Sequence, residues 1–125
     1  MLLVPAQVRN SPVHGFGLFA RERIARGTMV WRFDRLFDLV FDPGVVEEML
    51  PHQRDMVKYY AYLSKETGNY IFSGDDYRFI NHSDTPNLDS VTLPESEEPC
   101  DVANRDIHEG EELFVNYNSF DAGHL

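Results

Sequence analysis

Short apolar or alternating segments, separated by frequent turn residues, run through most of this chain. Turn residues interrupt the sequence every few positions, as at Asn10, Gly27, Pro86 and Gly110. Segments of this length and pattern are typical of β-strands in small sheets. The predicted strands cover residues 18–20, 28–33, 70–73, 88–93, 101–103 and 112–116. The pattern therefore predicts a mainly β fold built from several small sheets.

Residues 43–65 follow a different pattern. Apolar positions such as Val46, Leu50 and Val57 recur there at helical spacing, with charged residues between them. Pro51 falls inside this helical insert, and proline disrupts the interior of a helix, so we expect two short helices or one broken helix. Residues 94–99, with the sequence PESEEP, are expected to form an exposed acidic loop.

Length and composition favour one folded domain over residues 1–125. The chain is 42% hydrophobic and 13% aromatic, which is typical of a folded protein. No apolar run approaches the roughly 18 residues of a membrane span, and the first residues lack the basic flank of a signal peptide. A single cysteine, Cys100, excludes an internal disulfide framework. We therefore expect an intracellular protein without membrane association, cytoplasmic or, in a eukaryote, nuclear.

Charge is distributed unevenly along the sequence. Residues 1–74 contain nine basic and eight acidic residues, whereas residues 75–125 contain two basic and thirteen acidic residues. An acidic surface repels phosphate backbones, which disfavours nucleic-acid binding. It would attract a cationic partner, although the same carboxylates could serve only to keep the domain soluble.

The segment from His14 to Ala20 contains a G-x-G-x-x-A pattern close to a dinucleotide-binding fingerprint. That fingerprint requires a strand before it and a crossover helix after it. Only residues 21–26 separate Ala20 from Gly27 and the next strand, which is too short for a crossover. The Rossmann interpretation is therefore rejected. Two glycines at this spacing allow either a tight turn or a close approach of the backbone to a ligand.

Two further polar segments stand out. Residues 78–87 read RFINHSDTPN, which on its own suits a loop whose side chains cap their own backbone. Residues 102–117 read VANRDIHEGEELFVNY, which suits two strands joined by a turn at Gly110. Taken alone, Tyr117 would be a half-buried strand aromatic.

In this order and at this separation, the three motifs resemble those of the SET-domain protein lysine methyltransferases. The resemblance extends over about residues 7–120. It implies a fold of small curved β-sheets in which the segment at Asn81 passes beneath the loop that ends at Tyr117, as a pseudoknot-like crossing. Such a crossing would bring the second and third motifs into one site.

The resemblance also implies a cofactor and the residues that hold it. The cofactor would be S-adenosylmethionine, leaving S-adenosylhomocysteine as product. The cofactor-binding residues would be Gly15, Phe16, Gly17, Tyr70, Arg78, Asn81 and His82. Within this set, the backbone of residues 15–17 and of His82 would cradle the cofactor, Arg78 could hold its carboxylate, and Tyr70 could line the pocket.

The same resemblance assigns the catalytic position to Tyr117. A target lysine would enter from the opposite face through a narrow aromatic channel, for which Phe79, Tyr117 and Phe120 are candidates. An aromatic channel would disfavour the charged amine and so promote its deprotonation. The partner would be a basic, lysine-containing protein or peptide, as in histone-lysine methyltransferases.

This sequence departs from many relatives in its last part. Asp84 stands where they carry a cysteine, and the three later cysteines of their structural zinc site are absent. The five histidines also lack metal-ligand spacing, so no metal is expected. Either Phe120 folds back over the lysine channel or a second subunit, as in a homodimer, completes it. Val115 replaces a frequent tyrosine, which leaves mono-, di- and trimethylation open.

Two functions of different classes follow from these observations. The first is a minimal, stand-alone protein lysine methyltransferase. The second is a catalytically silent SET-like module that binds a basic peptide or partner protein. The joint presence of Asn81, His82 and Tyr117 favours the enzyme, because a module that only binds does not need that set.

Overall fold

The computed structural model describes residues 1–123, so His124 and Leu125 lie outside the described residues. The β-strands of the described residues are β1 (Ala6–Asn10), β2 (Phe16–Ala20), β3 (Met29–Trp31), β4 (Asp38–Phe41), β5 (Tyr62–Leu63), β6 (Tyr70–Ser73), β7 (Asn81–His82), β8 (Leu88–Val91), β9 (Cys100–Ala103) and β10 (Phe114–Val115). The helices are α1 (Pro43–Glu47) and α2 (Pro51–Tyr60), with 3₁₀ helices at Asp76–Phe79 and Tyr117–Ser119. The predicted mainly β class is confirmed.

The strands form small separate sheets. β1 and β2 make an antiparallel hairpin, β9 lies between β3 and β8, and β6 lies between β4 and β5. β7 and β10 pair in parallel, with Asn81 opposite Phe114 and His82 opposite Val115. This parallel pair holds the second and third sequence motifs side by side, at the place where the pseudoknot-like crossing was expected.

Each of the six predicted strands overlaps an observed one, but β1, β4, β5 and β7 were not predicted. β5 and β7 have two residues each, and both form because a distant segment supplies the partner. β1 contains polar and exposed positions, and its pairing with β2 determines its conformation. Such strands depend on long-range contacts that a local pattern does not contain.

The predicted break at Pro51 is confirmed, because α1 and α2 are separate helices with proline at the start of each. The predicted helical region extends too far, since α2 ends at Tyr60 and residues 62–63 form β5. Ala61 adopts an extended backbone, and Tyr62 pairs with Ile71 of β6. Sheet pairing therefore replaces helix at the end of this segment.

The prediction of an exposed loop at residues 94–99 is wrong for Pro99, which is buried, and for Glu98. Its side chain is buried, and its carboxylate accepts hydrogen bonds from the hydroxyls of Tyr62 and Ser64, each at 2.9 Å, and of Thr67 at 3.1 Å. These donors replace the hydration that the buried carboxylate loses. Glu98 thereby attaches the loop to the β5 region.

The core brings all three motifs together. Its fully buried side chains come from several sheets and the loops between them, and include Leu18, Val30, Leu88, Ile107, Leu113 and Val115. The segment before β10 runs along β2, where the Leu113 amide donates to the Leu18 carbonyl at 2.7 Å. Burial of these side chains therefore fixes the G-x-G segment against the segment that leads to Tyr117.

Candidate functional site

The G-x-G segment forms a turn between β1 and β2. The Ser11 amide donates to the Gly15 carbonyl at 2.8 Å, and Gly15 has a positive φ of 47°, which favours glycine. Gly17 is needed for space instead, since a Cβ there would clash with the Glu112 carboxylate and lie 3.1 Å from Asn81 Nδ2. The first glycine thus shapes the turn, and the second permits close internal packing.

Asn81 connects the second motif to this turn. Its Nδ2 donates to the carbonyls of His14 and Phe16, each at 3.0 Å, and to the Glu112 carboxylate at 2.9 Å. Because all three partners are acceptors, this position requires the amino group rather than the carbonyl oxygen of the amide. The buried Asn81 side chain therefore holds the 14–16 backbone in place.

Glu112 is a site residue to which the sequence assigned no role. Its carboxylate also accepts from the Ser11 hydroxyl at 2.8 Å, and its backbone carbonyl accepts from Asn87 Nδ2 at 2.9 Å. Asn87 in turn accepts from the Phe114 amide at 2.8 Å. A glutamate within the third motif was the available signal, but its partners lie about 30 and 100 residues away in sequence.

His82 and Tyr117 meet beyond the β7–β10 pair. The Tyr117 amide donates to His82 Nδ1 at 3.0 Å, and His82 Nε2 lies 3.0 Å from a carboxylate oxygen of Asp84. Since Nδ1 accepts, the neutral ring carries its proton on Nε2 and donates it to Asp84. His82 therefore positions the Tyr117 backbone through its side chain.

A cavity of about 180 Å³ lies beside the G-x-G turn. His14, Phe16, Arg78, Phe79 and Asn81 line it together with Ile80 and Tyr117. The rings of Phe16 and Phe79 meet edge to face with centroids 6.2 Å apart, and the Arg78 guanidinium lies 4.6 Å from the Phe79 ring centroid. We call this the smaller cavity; it combines flat apolar walls with one cation.

A second cavity, of about 250 Å³, is mainly aromatic. Its aromatic lining comprises Trp31, Tyr59, Tyr60, Tyr62, Tyr77, Tyr117 and Phe120. Exposed residues such as Tyr59 form its rim, whereas Trp31 and Asp101 at its other end are 2% and 5% exposed. We call this the larger cavity, and the buried part its floor.

Five residues line both cavities: Tyr59, Tyr60, Arg78, Ile80 and Tyr117. The Tyr117 hydroxyl donates to the Ile80 carbonyl at 2.5 Å, so the two residues form one wall between the cavities. Burial raises the pKa of Tyr117 to about 12, and the nearby Asp121 carboxylate contributes. Tyr117 therefore keeps its proton near neutral pH and acts through a neutral hydroxyl.

The sequence profile of the SET domain matches residues 15–118. The chain belongs to the SET-domain family. That match contains the G-x-G turn and the two later motifs, so the family resemblance inferred from the motifs is confirmed.

Solved SET-domain structures have the same fold. A Plasmodium falciparum protein described as a candidate histone methyltransferase superposes with a TM-score of 0.63 at 17% identity, covering 93% of this chain and 95% of that one. A humanized mutant of the Chaetomium thermophilum Polycomb Repressive Complex 2, bound to the inhibitor GSK126, gives a TM-score of 0.65 at 26% identity over 94% of this chain. This chain spans 15% of the length of that second protein.

The SET domain brings most of the sequence-predicted site residues together. Arg78 and Asn81 line the smaller cavity with Phe16, and Gly15 and Gly17 lie in the adjoining turn. Tyr70 lies on β6 opposite Phe41 and is not among the residues that line either cavity. Phe79, a candidate for the lysine channel, lines the smaller cavity rather than the larger one.

Phe120 folds back over the larger cavity. Its ring packs against Tyr62 with centroids 4.9 Å apart, and its carbonyl accepts from the Lys65 amide at 3.2 Å. Just beyond it, the Ala122 amide donates to the Leu63 carbonyl at 2.8 Å. Phe120 therefore lies in the lining of the larger cavity, and its closure of a lysine channel stays a prediction.

Two kinds of structural feature are absent from residues 1–123. No group of three or more histidine, cysteine, aspartate or glutamate side chains is placed to hold a metal ion. Within the same residues, no helix has the length and apolar character needed to cross a membrane.

Proposed function

We propose that this SET domain transfers a methyl group from S-adenosylmethionine to the side-chain amine of a lysine in a protein. The observation that carries the proposal is the wall of Tyr117 and Ile80, at which a cavity lined by Phe16 and Phe79 adjoins a larger aromatic cavity. A transfer between two bound molecules requires two sites that meet at one point, and Tyr117 borders both.

The smaller cavity fits the cofactor. Phe16 and Phe79 offer apolar faces for its adenosine, and Arg78 is a suitable partner for its carboxylate. The 14–16 backbone, held by Asn81, borders the same cavity. When bound, S-adenosylmethionine supplies a methyl carbon whose bond to sulfur breaks as its bond to nitrogen forms, leaving S-adenosylhomocysteine.

The larger cavity suits the lysine. Its rings can pack along an aliphatic side chain and exclude water from the amine. Removal of water disfavours the ammonium form, whose free pKa is about 10.4 and which has no lone pair for attack. Tyr117 would orient the amine and the methyl donor from the shared wall through its neutral hydroxyl, which the Ile80 carbonyl holds in place.

The substitution Tyr117→Phe tests this proposal. It keeps the ring and removes the hydroxyl, so we expect methyl transfer to a lysine-containing basic peptide to fall about 10²–10³-fold. Affinity for S-adenosylmethionine, measured by calorimetry, should change less than about threefold, because the other residues of the smaller cavity remain.

The outcome separates the enzyme from the silent module. Wild-type activity in Tyr117→Phe would remove that residue from the catalytic role. A wild-type protein that binds a basic peptide but transfers no methyl group to it or to proteins of a cell lysate would instead support a catalytically silent SET-like module.

A further inference from the structure

The floor of the larger cavity contains a carboxylate. Asp101 lies on β9 between β3 and β8 and is 5% exposed, and it lines the cavity together with Ser73, Ser90 and Trp31. The Tyr77 hydroxyl donates to Asp101 Oδ2 at 2.5 Å. Within residues 1–123, no lysine or arginine forms an ion pair with Asp101. Two cations line the cavity: Lys58 pairs with Glu47 at 2.7 Å, and Arg78 donates to the Asp75 carbonyl at 3.0 Å.

A second group at the floor lacks a partner. Trp31 is 2% exposed, and within residues 1–123 its indole Nε1 has no hydrogen-bond acceptor. Its ring stacks on Tyr77 with centroids 5.4 Å apart, which places it beside the donor to Asp101. Because an indole N–H can only donate, it needs an acceptor and not an ammonium, so the recognition of a cation at this floor falls to Asp101.

We propose that Asp101 pairs with the ammonium group of the target lysine in the larger cavity and accepts its proton before methyl transfer. The inference rests on the proposed function. In this step one N–H bond of the ammonium breaks, the proton passes to a carboxylate oxygen of Asp101, and the electron pair stays on nitrogen. The proton afterwards leaves to solvent through the rim, which restores the carboxylate.

The other titratable groups of the cavity are poorly suited to accept this proton. Tyr117 is already protonated and donates to Ile80. Tyr62 and Tyr77 are likewise neutral, since burial raises the pKa of each. Asp121 also lines the cavity, but its Oδ1 already accepts from the backbone amides of Leu63 and Gly123.

The surroundings of Asp101 bring the pKa of its carboxyl close to neutral pH. Burial raises the pKa of this carboxyl to about 7, while the hydrogen bond from Tyr77 opposes that change. The charged and titratable groups around it are Tyr77, Tyr62, Cys100, Asp38 and the amino group of Met1, which itself bonds Asp38 at 2.8 Å. A proton acceptor works best with a pKa near the operating pH.

The test compares Asp101→Asn with Asp55→Asn, which removes the same charge from an exposed position on α2. Methylation by each variant is measured on two peptides that are identical except at the target residue. One peptide has lysine there, and the other has aminoethylcysteine, whose amine is less basic. For Asp101→Asn at pH 7 we expect about a 10²-fold loss of kcat/KM with lysine, since a general base contributes about 10²–10⁴-fold. The loss should be about tenfold smaller with aminoethylcysteine and should shrink as pH rises, because a less basic amine needs less help to lose its proton.

The proposal would be overturned if Asp101→Asn lost the same factor in kcat/KM with both peptides and at every pH. It would also be overturned if Asp55→Asn showed the loss expected for Asp101→Asn. The neutral amide suits a buried position, so Asp101→Asn is expected to fold. Tyr77→Phe gives a second readout: loss of its hydrogen bond should move the acid limb of the kcat/KM profile to higher pH.

Binding decides the proposal independently of turnover. With S-adenosylhomocysteine present, the wild type should bind the lysine peptide at least about tenfold more tightly than a norleucine peptide, and Asp101→Asn should lose this preference. A preference that survives in Asp101→Asn would refute the role of Asp101. Absence of methyl transfer by the wild type would overturn the proposed function, and this binding comparison alone would then decide whether Asp101 recognises the ammonium.

Discussion

Replacement of Asn81 by alanine is a demanding test of how the site is assembled. Asn81 Nδ2 donates to the carbonyls of His14 and Phe16 and to the Glu112 carboxylate, and the residue is 6% exposed. Alanine removes the donor and leaves three acceptors facing a small buried space. The G-x-G turn then loses its attachment to β7.

The expected cost follows from these acceptors. A neutral hydrogen bond contributes about 0.5–1.5 kcal/mol and one to a charged group about 1.5–3 kcal/mol. Glu112 keeps its bond from Ser11, and water can reach part of the turn, so the full sum is not expected. We therefore predict a loss of about 2–4 kcal/mol in the free energy of unfolding. Asn81→Asp should cost more, because it places a carboxylate oxygen against three acceptor oxygens.

Urea unfolding measures the loss of stability, and calorimetry measures the affinity for S-adenosylmethionine, which depends on the position of the G-x-G turn. Asn118→Ala is the matched control, because that side chain is exposed, and it should change the free energy by no more than about 0.5 kcal/mol. Cofactor affinity should fall in Asn81→Ala and stay constant in the control. If Asn81→Ala unfolds at the same urea concentration as the control and binds the cofactor equally well, Asn81 does not hold the G-x-G turn in place.

Two further predictions concern the glycines and the pH dependence of stability. Gly17→Ala should displace the Glu112 carboxylate and lower the free energy of unfolding by about 2 kcal/mol. Gly15→Ala should lower it by only about 1 kcal/mol, the cost of a left-handed backbone for alanine. Urea unfolding of both variants checks this order, and an equal loss would contradict it. Because burial raises the pKa of Asp101 to about 7, the folded protein binds its proton more tightly than the unfolded chain. The wild type should therefore lose stability relative to Asp101→Asn by up to about 1.4 kcal/mol per pH unit from about pH 4 to pH 7 and none beyond, and parallel stability curves for the two proteins would contradict this.

Local sequence pattern predicted the elements that its own residues determine. The strand at residues 70–73 has bounding turns and buried positions on one face, and its predicted bounds are the observed ones. The break at Pro51 follows from the chemistry of proline alone. β7 has no such local signal, because its two residues form a strand only through pairing with β10.

The candidate site divides in the same way. The motifs indicated that Asn81 and Tyr117 share a site, and the β7–β10 pair brings them together. The roles of Glu112 and Asp101 were missed because each depends on a side chain far away in sequence, Asn81 in one case and Tyr77 in the other. Nothing in a strand sequence distinguishes an acidic residue that faces a cavity floor from one that faces solvent.

The folded structure alters the expectation that residues 75–125 form a strongly acidic surface. The acidic excess of residues 75–125 suggested a surface that attracts a basic partner, but folding pairs Asp106 with Arg23 at 2.9 Å and Glu97 with Arg35 at 3.1 Å. The asymmetry along the sequence is thus partly cancelled in space. Surface ion pairs of this kind also contribute little to stability.

Two other acidic residues of that half, Glu98 and Asp101, are buried, so they add little to a surface field. Glu98 is satisfied by three hydroxyl donors, one of which belongs to Tyr62 in the wall of the larger cavity. Asp101 accepts a hydrogen bond from the Tyr77 hydroxyl, and it lines the cavity itself. We therefore expect recognition of a cation by this chain to depend less on its net charge of −10 than on the Asp101 carboxylate in the aromatic cavity.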